Sequence, residues 1–127
     1  MYKEIIVSIL VVVLIITGDI LTQKYTRKSV EDLKEKLSNL KIYLEEENSD
    51  EVVKKTQEIS NTLEQVHNVL AYYIEHDEIE KMETNFTACK SYVFTGEYSE
   101  ATAELEKTKF VLDHITDKYS FTLENIF

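Results

Sequence analysis

Residues 30–44 read VEDLKEKLSNLKIYL, and their apolar positions Val30, Leu33, Leu37, Leu40 and Leu44 advance in steps of 3, 4, 3 and 4. That spacing draws one stripe along an α-helix. The stripe stops at Glu45-Glu46-Glu47-Asn48, where Ser49 offers an N-cap and Asp50 and Glu51 fall in a first turn whose dipole favours acidic side chains. A second stripe runs through Val52, Thr56, Ile59, Leu63, Val66, Leu70 and Tyr73. Continued in phase, it would put Asp77 and Glu80 in the core, so the phase slips near Glu75 to Asp77 and the chain is expected to turn there, with Asp77 as cap. The third stripe is Ile79, Met82, Phe86, Cys89 and Val93. Gly96 then suits a left-handed residue just past a helix end, and Ser99 a cap for the fourth stripe, Ala101, Leu105, Thr108, Leu112, Ile115 and Tyr119. The turns at 47–52 and 96–101 are alike and 49 residues apart, which reads as shared local turn chemistry.

Upstream, Ile5 to Thr17 is apolar apart from Ser8 and Thr17, and the pattern resumes at Ile20 and Leu21. The 17 residues from Ile5 to Leu21 make a helix of about 25 Å, slightly short of a hydrocarbon core of roughly 30 Å. A signal peptide is the competing reading, but no small-x-small pair precedes Asp19, and an uncleaved anchor is the expectation, with Ile5, Leu10, Val13 and Ile16 on its membrane surface. Tyr2 and Tyr25 flank it as interfacial aromatics would, and Asp19 in its last turn can reach the headgroups. Lys24, Arg27 and Lys28 against Lys3 and the amino terminus lean towards a cytoplasmic C-terminal domain by one charge. The habit of short signal-anchors to export the domain behind them, and an acidic domain with few cations, tip the expectation to an extracytoplasmic one.

The whole is all-α: an anchor over residues 1–24, then an acidic antiparallel four-helix bundle over 25–127, with helices at about 26–46, 50–74, 77–95 and 99–119. No break separates anchor from bundle, so the first helix is expected to project from the bilayer as a rod. The absence of proline and the presence of only two glycines deny strand-and-turn folds their punctuation. A chain of 127 residues with part in the membrane leaves little room for a catalytic cleft and its supporting shell. Past residue 28 there are 10 Lys+Arg against 22 Asp+Glu, a net of −12, which opposes nucleic-acid binding.

Glu64 and His67 have the i, i+3 spacing of carboxylate-bridged metal bundles, yet neither other histidine has Glu or Asp three positions before it, so the pair reads as a boundary feature. His76 with Asp77 and Glu80 reads as a polar junction, and His114 between Asp113 and Asp117 as a charged face. Cys89, between Phe86 and Val93 with no nearby base, is expected to be an inert core thiol. No cofactor is implied. Phe110, off the fourth stripe, and Phe121, Ile126 and Phe127 either cover the end of the bundle or form a contact patch for another protein. The same stripes would serve a homo-oligomer.

The apolar N-terminus, the acidic helical body, His76-Asp77-Glu78-Ile79, Lys109-Phe110-Val111-Leu112-Asp113-His114-Ile115 and Leu123-Glu124-Asn125-Ile126-Phe127 together resemble the family known as domain of unknown function 4363. The resemblance implies a small membrane-associated protein of the bacterial envelope, with a multi-pass membrane protein as a candidate partner. It implies no activity. This chain departs from the resemblance in having no tryptophan where family members often carry them, in the second and third helices. The function expected is a non-catalytic scaffold or accessory subunit of an envelope complex, and the alternative is an extracytoplasmic sensor or ligand-binding bundle.

Overall fold

A computed structural model describes residues 1–71 and 74–126, with side chains described as far as residue 118. Four helices succeed one another: α1 (Tyr2–Glu45), α2 (Ser49–Leu70), α3 (His76–Phe94) and α4 (Tyr98–Ile126). The expected all-α architecture is what the chain adopts. Each helix packs on the next and α4 closes the ring against α1, while among the described residues the backbones of the diagonal pairs, α1 with α3 and α2 with α4, stay farther apart across the shared core.

The core is built from the stripes. Leu33, Leu37 and Leu40 of α1, Val52 and Ile59 of α2, Met82 and Cys89 of α3 and Ala101 and Leu105 of α4 are wholly inaccessible to solvent. Each large aliphatic among them contributes about 1.5–3 kcal/mol by leaving water. Threonines share the stripes because each returns its hydroxyl to its own helix: Thr56 donates to the Val52 carbonyl at 2.7 Å and Thr108 to that of Glu104 at 2.9 Å. No buried hydroxyl in these two is left unpaired, which is the condition for a polar group to sit there.

Ion pairs and hydrogen bonds fix the registers. Lys34 meets Asp113 at 3.4 Å and Lys41 meets Glu106 at 2.9 Å. Both pairs of residue numbers add to 147, so α1 and α4 run antiparallel in a constant register. Lys36 Nζ donates to Thr62 Oγ1 at 2.8 Å, which sets the antiparallel register of α1 with α2. In the α2–α3 hairpin, His67 with Glu83 and Lys90 with Ser60 each add to 150.

The two outer turns share one geometry. After α1, Asn48 N donates to the Tyr43 carbonyl and Glu47 N to that of Leu44; after α3, Glu97 N donates to Tyr92 and Gly96 N to Val93. These are paired Schellman closures, each needing a left-handed residue at its centre. Gly96 fills one at φ 76, and Glu47, an L-residue, fills the other at φ 55.

Several local expectations shift. The cap of α2 is Asn48, whose Oδ1 accepts from Glu51 N at 3.4 Å, and not Ser49, which is already helical. Helix α3 starts at His76 after Glu75, so Asp77 lies inside the first turn, where it still favours the dipole. Ser99 likewise falls inside α4, which begins at Tyr98. Helix α2 ends at Leu70, and Tyr73 lies outside the described residues. Helix α4 continues to Ile126, two turns beyond the expected end.

Candidate membrane anchor and contact surfaces

Helix α1 is 44 residues long, about 66 Å at ~1.5 Å per residue. Its two halves have opposite environments. From Thr26 onward its stripe is buried in the bundle, whereas every residue from Met1 to Leu21 is exposed. Ile5, Leu10, Val13 and Ile16 are each more than half accessible, although all are strongly apolar. It is the one helix among the described residues that is long and apolar enough to cross a membrane. Polar groups in this half turn inward on the helix: Ser8 donates to the Glu4 carbonyl and Thr22 to that of Gly18, while Asp19 accepts from Gln23 Nε2 at 3.2 Å.

At the level where the bare half meets the bundle, Lys24, Arg27 and Lys28 are exposed and Tyr25 is half-exposed. At the same level and one turn above it, Thr26, Arg27, Val30, Glu31, Ile74, Ile115 and Thr116 line a narrow cavity of about 70 Å³ at the base of the bundle. A second charged cluster stands nearby at the α3–α4 seam. Lys118 reaches Glu75 at 3.2 Å and Glu78 at 3.5 Å, and Glu78 also faces His114 Nε2 at 3.6 Å. The hydrogen bond to Glu75 is the chief reason the Lys118 ammonium is held above its ordinary range. His114 therefore faces a carboxylate of α3 as well as its own acidic neighbours. His76 makes a looser contact, 3.7 Å to Glu80 one turn on.

The α2–α3 seam holds an open cleft of about 450 Å³ lined by Ser60, Glu64, His67, Asn68, Glu83 and Thr87 over Leu63 and Phe86. Spacing pairs His67 with Glu64 on its own helix; the fold pairs it with Glu83 of α3, to whose Oε1 the His67 Nδ1 donates. Glu64 remains exposed on the rim. Among the described residues no group of three or more His, Cys, Asp or Glu is arranged to hold a metal ion. Glu83 is the residue that spacing along one helix misses, since it stands 16 positions away.

Cys89 is completely buried, and burial first, then the carboxylate of Glu104, push its thiol up to about 12. Across the α1–α4 seam the Lys41–Glu106 hydrogen bond lowers the Glu106 carboxyl and raises the Lys41 ammonium. Phe110 projects into solvent, 74% accessible, as its position off the stripe requires. The side chains of Phe121 and Ile126, and Phe127 as a whole, lie outside the described residues.

No curated protein and no solved structure matches this chain. One family model does, and it begins at the end of the apolar run and extends through the whole bundle. By that match over residues 20–126, the chain belongs to the family described as Domain of unknown function (DUF4363).

Proposed function

We propose that this protein is a single-pass, membrane-anchored helical bundle that acts without catalysis, as a scaffold or accessory subunit of an envelope protein complex. One observation carries the reading: the exposed apolar half of α1 and the buried half are a single uninterrupted helix. Some 25 Å of bare aliphatic helix is incompatible with water and matches an acyl-chain layer. The bundle it carries is held rigidly at one end and offers an acidic surface with an isolated aromatic, Phe110, on its outer side. In this reading the anchor is retained, the bundle stands on the extracytoplasmic side, and the partner is another membrane protein. Purification of the full chain in mild detergent should recover a stoichiometric membrane partner. Recovery of the chain alone, as a monomer, refutes the scaffold reading.

The cleft between α2 and α3 favours a second reading, an extracytoplasmic bundle that binds a small polar ligand beside His67 and Glu83. A ligand screen that raises the melting temperature of the wild type but not of Glu83→Gln supports it, and a screen with no shift disposes of it.

A further inference from the structure

The register of α4 against α1 leads beyond the anchor. Because Lys34 faces Asp113 and Lys41 faces Glu106, each α4 residue stands level with the α1 residue whose number completes 147. Residue 126 is therefore level with residue 21, the last apolar residue of the bare half of α1. Helix α2 stops much higher. The Lys36–Thr62 contact places its end, Leu70, level with residue 28. Helix α3 starts beside Lys118, as the contact of Lys118 with Glu75 shows. Past the α2–α3 link α4 thus continues alone beside α1 for eight residues, about 12 Å, towards the end of the apolar run.

The sequence of those two turns, YSFTLENI, keeps the helical stripe going through Tyr119, Leu123 and Ile126 and adds Phe121, with Glu124 as its one charged residue. Inside the bundle such a stripe faces the two neighbours α1 and α3, and past the start of α3 only α1 continues beside it among the helices. On that side of α1 Thr22 and Gln23 are half-buried and Thr26 is almost wholly buried, although α2 and α3 are absent at the level of residue 22. At the same level Lys24, Arg27 and Lys28 form an exposed cationic belt with Tyr25, on a chain otherwise strongly acidic. Cations and aromatics at the end of an apolar helix mark the headgroup layer, and anionic lipid attracts such a belt.

We infer that the last two turns of α4, Tyr119 to Ile126, rest on an anionic lipid surface beside α1, giving the protein a second membrane contact that seats the base of the bundle on the bilayer. The inference rests on the anchor part of the proposed function. It assigns the lipid surface, and no protein, as what covers this end of α4.

The full chain carrying Cys89→Ser, reconstituted into vesicles of phosphatidylcholine and phosphatidylglycerol, tests it through one environment-sensitive fluorophore at a time on Leu123→Cys, Leu14→Cys or Ser49→Cys. Vesicles with brominated acyl chains quench labels at the bilayer. The label at 123 should lose fluorescence as the label at 14 does, while the label at 49, at the far end of the bundle, should keep it. Quenching at 14 without quenching at 123 overturns the inference and leaves the anchor standing. Loss at neither position overturns both. Circular dichroism of each labelled protein checks that the helices form, and Phe121→Cys reports on the same two turns should Leu123→Cys fail to fold.

Discussion

The buried thiol of Cys89 makes alkaline stability a test of the packing around α3. Its ordinary value of 9.0 applies once the chain unfolds, whereas in the folded bundle it is pushed up to about 12. Between these values the folded state keeps a proton that the unfolded state releases. Stability must therefore fall as pH rises through that window, and below about pH 8 the group contributes no slope. Integrated to pH 10.5, the difference amounts to about 2 kcal/mol, or roughly a thirtyfold change in the folding equilibrium constant. Lysines and tyrosines also titrate in this range, so the informative quantity is a difference between two proteins. Cys89→Ala removes the thiol and leaves every other group in place, at the cost of a small cavity that is the same at all pH values. Urea midpoints of wild type and Cys89→Ala, measured in one nonionic detergent at pH 8 and pH 10.5, should show the wild type losing about 2 kcal/mol more than the variant over that interval. Parallel losses refute the reasoning, because they would mean that the thiol ionises as readily in the fold as out of it and is not sealed between α3 and α4.

Other perturbations have equally definite outcomes. Leu37→Ala, at a site with no solvent access, should destabilise the bundle by about 3–5 kcal/mol in urea, whereas half-exposed Ile42→Ala in the same helix should stay within about 0.5 kcal/mol; equal effects would contradict the assigned stripe. The two Schellman closures should respond with opposite signs: Glu47→Gly gains about 1 kcal/mol by relieving a left-handed L-residue, and Gly96→Ala loses about 1 kcal/mol. Nothing lies within 4 Å of a Cβ added at Gly96, so thermal melts of that variant would read the backbone cost alone. A double-mutant cycle on His67→Ala and Glu83→Ala should return a coupling of about 1 kcal/mol or less, as suits a pair whose side chains are each 37% exposed, and zero coupling would deny the cross-helix bond.

Periodicity decided how much of the fold was legible in the sequence. Val30, Leu33, Leu37, Leu40 and Leu44 are all buried because a 3, 4 repeat can only be one face of a helix, and the same logic exposes Phe110, which stands off its stripe. The phase slip near Glu75 located the α2–α3 link for the same reason: a helix cannot turn its core face by a fraction of a turn without breaking or overwinding. Caps were less legible, since Asn48 and Ser49 are both capable and the choice depends on which residue leaves helical backbone angles. The partner of His67 was hidden because Glu83 is a neighbour only through the hairpin. Folding the chain about residue 75 would have found it: His67 with Glu83 and Ser60 with Lys90 are both symmetric about that point. The extent of α4 past residue 119 was not legible in the stripe alone, because nothing in the sequence stops the helix there, neither Gly nor Pro.

Between Asp19 and Glu45 helix α1 contains no glycine, no proline and no break. The azimuth of the bundle is consequently locked to that of the apolar half, like a blade to its shaft. One residue inserted between Lys24 and Tyr25 would swing the whole bundle by about 100° and raise it by about 1.5 Å, whereas seven would return it to within about 20° of its starting angle but raise it by about 10.5 Å. A partner that grips both halves of α1 therefore reads an angle and a height as well as a surface: the first insertion changes mainly the angle and the second mainly the height. A partner that grips only one half is blind to the difference.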